Sequence, residues 1–316
     1  MKKVLCFLLF FAAMLAATGF GRLRWGFFAH KRINYMAVFT LPPGMIGFYK
    51  KHIEYISAHA VDPDKRRYAD PSEGARHFID SEWYGKGLYD SLPEKWKDAL
   101  SHYGADSLQA HGIVPWHIQR MLFRLQKAFE EHDAAAILKN SADIGHYIGD
   151  AHVPLHTTSN YDGQFSNQRG IHAFWESRIP ELQADQYNYF AGRAEYLEHP
   201  AERIWKALAA SYAAKDSVLG MEADLSRSFP SDLKYAPQSK GTGVSVVYSE
   251  AYSAAYEQKL GHMIERRMRE SIHLVGSFWY TAWVMAGQPD LDHLTQNIKE
   301  DTLNAEIIED GQHKLK

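Results

Sequence analysis

Cysteine is almost absent from this chain: among 316 residues the only one is Cys6, within an apolar stretch at the very start. That excludes a disulfide framework and a thiolate-bound structural zinc site for everything downstream. Long hydrophobic runs are missing as well. The one apolar segment, Val4 to Ala17, follows the basic Met1-Lys-Lys and is too short for an ordinary transmembrane helix. Residues 1–21 therefore read as an export signal, and the expected location is secreted or periplasmic. Nor is there an excess of positive charge. A formal net charge of -3 argues against a broadly basic nucleic-acid surface, though not against local binding at a cationic metal cluster. Alternating β-branched runs are scarce too; the best strand-like piece, Val244 to Tyr248, is short and preceded by Gly241 and Gly243, as expected for a loop.

What is present is enough apolar material, 46% of residues against 23% charged, to bury a sizeable core. Apolar side chains recur at helical spacing over Pro42 to Ser57, Pro115 to His132, Ala134 to Gly149, Ala201 to Leu219 and Ser249 to Ala286. The expected architecture is all-α, a single multi-helix domain over residues 22–288 without internal repeats, followed by a polar, peripheral tail over 289–316. The Arg266-Arg267-Met268-Arg269 cluster reads as a solvated helix face.

The densest chemistry lies in His146-Tyr-Ile-Gly-Asp150-Ala-His152-Val-Pro154-Leu-His156, followed by His172-Ala-Phe-Trp-Glu176. Residues four apart share a helix face, so His146 with Asp150, and His172 with Glu176, can each converge on an ion. Pro154 ends the first helix and leaves His156 on a loop, free to reach inward. Asp133 suits the helix N-cap, and Asp143 is placed to orient His146 or to serve as a solvated acid. A single such pair would be an unremarkable pair of polar residues. Two pairs plus His156 in one short segment point to a polynuclear site, and an all His, Asp and Glu donor set suits hydrolytic zinc. His152, two residues past Asp150, is expected to turn away from the metal.

Upstream stand Trp25 and His30, Asp62 in His59-Ala-Val-Asp-Pro-Asp64, and His77 in Arg76-His-Phe-Ile-Asp80. In that order the residues resemble the superfamily of secreted zinc-dependent phospholipases C and single-strand-specific zinc nucleases. Its pattern is an N-terminal Trp, a His, an Asp, a His, then His-x3-Asp-x5-His and His-x3-Glu or His-x3-Asp. The resemblance implies a helical fold with a cleft holding three zinc ions: one on Asp62, His77, His146 and Asp150, a second on His156, His172 and Glu176, a third on Trp25, His30 and Asp150. It also implies that Trp25 binds through a free amino terminus, which here calls for trimming between Arg24 and Trp25 after signal removal.

The resemblance further implies phosphodiester hydrolysis by metal-activated water, with no side-chain nucleophile. Asp62 is expected to orient the water. Asp80, three residues after His77, would support it from the same helical face. Glu176 and its Gly170-Ile-His172 approach look like the phospholipase version, whereas Trp25-x4-His30 and His77-Phe-Ile-Asp80 look like the nuclease branch. The expected activity is therefore phospholipase-C-like first, single-strand nuclease or 3'-nucleotidase second, and a zinc-binding exported protein without catalysis third. Partners would be a phospholipid head group or single-stranded nucleic acid, with transient membrane-surface contact and no obligatory protein partner.

Overall fold

The computed structural model describes residues 26–85, 92–240 and 243–294, and within them the chain is overwhelmingly helical. In chain order the helices are α1 (Phe27–Ala37), α2 (Pro43–Lys51), α3 (Ile53–Ala58), α4 (Asp62–Arg66), α5 (Trp96–Tyr103), α6 (Ala105–His111), α7 (Val114–Glu130), α8 (Ala134–Ala151), α9 (Ile171–Ala173), α10 (Ile179–Gln183), α11 (Pro200–Ser228), α12 (Glu250–Leu260) and α13 (Met263–Met285). One antiparallel hairpin, β1 (Tyr235–Lys240) and β2 (Gly243–Tyr248), joins α11 to α12, pairing Tyr235 with Tyr248.

Helix α8 is the axis of the fold, with α1, α7, α11 and α13 packed around it. The Asp133 side chain caps its start by accepting from the Ala136 amide at 3.0 Å. Every residue from Ser141 to Ala151 is buried, the condition of a helix surrounded by others rather than lying on a surface. Asp143, His146 and Asp150 are thus buried polar groups that must find partners. The helix stops at Ala151; Val153 is extended and Pro154 opens a 3₁₀ turn, Pro154–Thr157, that carries His156.

Two glycines set the distance between α8 and α1. A Cβ on Gly145 would lie 2.0 Å from Asn34 Oδ1, and one on Gly149 would lie 2.9 Å from His30 Nδ1. The bare backbone lets α1 approach until Asn34 Nδ2 donates to Ala142 O at 3.0 Å and the His30 ring stacks on His146 at 4.0 Å. Glycine at this spacing therefore positions a functional side chain.

Several boundaries differ from the periodicity. The Pro42 to Ser57 segment is two helices, broken at His52, and Ser249 to Ala286 is also two, separated by Gly261 and His262 in left-handed conformation. The strand-like Val244 to Tyr248 is a paired strand; its partner Tyr235-Ala-Pro-Gln-Ser-Lys has no strand-like pattern, and Val244 and Val246 are exposed. Arg267 is buried, not solvated, and donates to His152 O and Ser211 Oγ. Leu291 and Leu294, in the expected polar tail, are buried against the core. Residues 1–21, read above as an export signal, Trp25 and residues 295–316 lie outside the described residues.

Candidate metal centre

Several elements bring the ligand-type side chains together. Helix α8 supplies His146 and Asp150, α1 supplies His30, the 3₁₀ turn Gly74–His77 supplies His77, and the turn after α8 supplies His156. His172 comes from α9 and Glu176 from the wide π turn Phe174–Arg178 that continues it, a local widening often found at functional sites. Four trios converge: His77, His146 and Asp150; His156, His172 and Glu176; His30, Asp150 and Glu176; and His30, Asp64 and His146. Within each trio the potential ligand atoms lie within 4.8 Å of one another.

Asp150 is the hub. Its Oδ2 is 2.9 Å from His77 Nδ1 and 3.3 Å from His146 Nε2, while Oδ1 is 3.4 Å from His30 Nε2 and 3.4 Å from His156 Nδ1. Glu176 is the second hub, 2.6 Å from His172 Nε2, 3.4 Å from His156 Nε2 and 3.3 Å from His30 Nε2. Burial alone would raise both carboxyls, yet the imidazoles around them hold both well below the ordinary carboxylate range. The same pairing pushes His156 up to about 9, Asp150 and Glu176 outweighing its burial. Burial, reinforced by His30, moves His146 the other way.

The orientation of the rings tests whether a metal fits. His146 Nδ1 donates to Ala60 O and His156 Nδ1 to His77 O, each at 2.8 Å, so both turn Nε2 toward the cluster, free to bind metal once any proton there is displaced. Those Nε2 atoms meet other potential ligands: His156 Nε2 is 3.0 Å from His172 Nε2, and His146 Nε2 is 3.0 Å from His77 Nδ1. Ring nitrogens crowded this closely with one another and with carboxylates in a buried cluster form a set that could hold cations. The donor set of imidazole nitrogens and carboxylate oxygens suits zinc.

The floor of the cluster, His146 and Asp150, is sealed from solvent, whereas the Asp64 and His172 side chains are 25% and 26% exposed. The cluster therefore reaches solvent at Asp64 and at His172, and Tyr161, itself half exposed, stands 6.0 Å from the His172 ring.

Two expected residues are placed elsewhere. Asp62 does not reach the cluster: it pairs with His59 at 2.5 Å and Lys65 at 3.1 Å. The carboxylate comes from Asp64, 3.8 Å from His77 Nδ1 and 3.9 Å from His146 Nε2. Residues two apart on a helix point about 200° apart, so only one of this pair can face the cluster. Asp80 does not share a helical face with His77, because the 3₁₀ turn ends at His77 and Phe78 is extended. Its carboxylate turns to His111 Nδ1 at 3.4 Å, and His111 lies flat on Trp83 at 4.2 Å. Asp143 does not orient His146; it is buried against Arg66 at 3.1 Å. His152 does face away, bonding Ile148 O at 2.8 Å, and burial with Arg267 nearby pushes it down to about 3. Sequence reasoning missed Asp64, for which the Asp62-Pro-Asp64 repeat was the available signal. It also missed Glu73, four residues before His77.

A family model described as S1/P1 nuclease matches residues 25–271, from the first expected ligand to well beyond Glu176. The chain belongs to the S1/P1 nuclease family. Members of this family are zinc-dependent phosphodiester hydrolases, which agrees with the donor set and the buried carboxylate hubs. No curated protein matches the chain.

Proposed function

We propose that this S1/P1 family member cleaves phosphodiester bonds in single-stranded nucleic acid or nucleotides, using three zinc ions. The observation that carries the reading is the convergence of His30, Asp64, His77, His146, Asp150, His156, His172 and Glu176 in overlapping ligand trios that reach solvent at Asp64 and His172. Asp64, His77, His146 and Asp150 would hold one ion, His156, His172 and Glu176 a second, and His30 with Asp150 and the Trp25 terminus a third. Bound there, zinc supplies Lewis acidity toward phosphoryl oxygens and lowers the pKa of water enough for attack near neutral pH.

The protein contributes position and charge. Asp150, with Oδ2 toward His77 and His146 and Oδ1 toward His30 and His156, would serve two ion sites from a single residue on a deeply buried helix. The backbone acceptors Ala60 O and His77 O fix His146 and His156 in the ligand tautomer before substrate arrives. Asp64, at the solvent edge, is the carboxylate best placed to accept a hydrogen bond from attacking water. Three carboxylates, Asp64, Asp150 and Glu176, leave a zinc-loaded site net positive by roughly three charges, which attracts a phosphate backbone without a basic surface. Tyr161 offers a ring beside His172 on which a base can stack. No helix among the described residues is long and apolar enough to cross a membrane; export by residues 1–21, with trimming to Trp25, is part of the proposal and is tested by the N-terminal sequence of secreted protein.

Phospholipase C activity, ranked first on sequence, takes second place because the matching family is that of nucleases. The test is one panel on purified mature protein: single-stranded DNA, single-stranded RNA, phosphatidylcholine and an aryl phosphodiester, each with and without chelator. Chelator-sensitive nucleic-acid cleavage is expected. Lipid hydrolysis without nucleic-acid cleavage would reverse the order, and bound zinc with no turnover would leave a binding protein.

A further inference from the structure

Two of the buried histidines reach the cluster through Nε2 because backbone carbonyls accept from their Nδ1. His77 is reversed. Its Nδ1 faces Asp150 Oδ2 at 2.9 Å, His146 Nε2 at 3.0 Å and Asp64 Oδ1 at 3.8 Å, while its Nε2 points away, 3.5 Å from Glu73 Oε1. We propose that Glu73 is the positioning residue that commits His77 to bind metal through Nδ1: His77 Nε2 is buried without a hydrogen-bond partner, and the carboxylate 3.5 Å away favours the proton on that nitrogen.

The surroundings of Glu73 show an expensive group held in place. It is fully buried, and an isolated buried carboxylate is costly unless paired. The Tyr147 hydroxyl donates to Oε1, the Arg76 guanidinium to Oε2, and Arg66 Nε stands 3.6 Å from Oε2. Arg66 is in turn anchored on Asp143 at 3.1 Å and on the Tyr147 hydroxyl at 3.2 Å, and Arg76 on Asp70 at 3.2 Å. Tyr147 lies between two expected ligands' positions on α8, next to His146, and its ring meets the His77 ring edge-on at 5.3 Å. The network thus fixes Oε1 against the one side of the His77 ring that the cluster does not use. A carboxylate behind a ligand imidazole fixes its tautomer and raises its basicity, and removing such a partner weakens metal binding about 10–100-fold.

The inference rests on the metal-binding part of the proposed function and is independent of substrate. Its test is Glu73→Gln in the full mature chain, with Glu73→Ala as the stronger truncation. Zinc per chain is counted by native mass spectrometry, zinc affinity is measured against a competing chelator, and the His77 tautomer is read from ¹⁵N–¹H correlations in the zinc-loaded protein. Expected are a wild type with His77 protonated on Nε2 and a Glu73→Gln affinity lower by about 10–100-fold at one ion. If Glu73 serves only to neutralise Arg66 and Arg76, the variants melt earlier without zinc while affinity and tautomer stay unchanged, and the proposal fails. It also fails if wild-type His77 carries its proton on Nδ1. A wild type that binds no zinc would instead overturn the metal reading itself. Should Glu73→Ala not fold, Glu73→Gln and the wild-type tautomer still decide.

Discussion

Replacing Asp64 by asparagine preserves size and removes one negative charge beside His77 and His146, at 3.8 and 3.9 Å. A unit charge about 4 Å from a unit cation is worth about 4 kcal/mol at an effective dielectric of about 20, or about three decades in affinity. A ligating oxygen would sit closer than that, so three decades is the smaller end of the effect. The matched control is Asp62→Asn, two residues away. Asp62 is partly exposed and pairs with His59 and Lys65, so its loss costs about 0–1 kcal/mol of stability and no zinc. Both proteins would be loaded with zinc, titrated with a chromogenic chelator and counted by native mass spectrometry. Asp64→Asn should lose one ion at chelator concentrations the wild type resists; Asp62→Asn should match the wild type. The reverse, with Asp62→Asn shedding an ion and Asp64→Asn fully loaded, would refute the placement of α4 against the cluster.

Gly149→Ala should push His30 away from Glu176 and Asp150, because the new methyl would start 2.9 Å from its Nδ1; about 1–3 kcal/mol of stability and one ion should be lost together, measured by melting and metal count. Tyr161→Ala should raise KM for single-stranded substrates severalfold, corresponding to about 1–3 kcal/mol of stacking, with zinc content unchanged; an unaltered KM would remove Tyr161 from the substrate path. Metal-free protein should be most stable near neutral or slightly acidic pH. His156 is raised to about 9, so its contribution is complete below about pH 6.5 and is lost as pH climbs through 9. His152, lowered to about 3, is neutral when folded, so acidification below about 6.5 favours the unfolded chain, which takes up that proton. Zinc affinity should rise over the range where metal-free stability falls, since binding displaces the His156 proton. A chelated protein whose Tm climbs steadily to pH 9 would contradict this assignment.

The parts of the site that sequence reveals are those set by local geometry. His146 with Asp150 and His172 with Glu176 are four apart, and Pro154 forces the turn that delivers His156; each is a property of a few consecutive residues. Asp64 was hidden because Asp62 and Asp64 flank the same proline, and choosing between them requires the rotation of a five-residue helix against α8. Asp143 and Arg66, 77 residues apart, or Glu73 and Tyr147, 74 apart, leave no local signature. Neither does the π turn around Glu176, nor the role of Gly145 and Gly149, whose meaning lies in how near α1 comes. The all-α class was legible from 3.6-residue periodicity. Of the β hairpin only Val244 to Tyr248 was legible as strand-like; the pairing was not, because Tyr235 to Lys240 carries no such pattern and the outward valines are bare.

The most direct test is anomalous diffraction at the zinc edge from crystals of the mature, zinc-loaded protein. The account predicts three peaks, one within ligand distance, roughly 2.0–2.2 Å, of Asp64, His77, His146 and Asp150, one of His156, His172 and Glu176, and one of His30 and Asp150. An empty cluster, or ions bound elsewhere with Asp150 and Glu176 unligated, would contradict it.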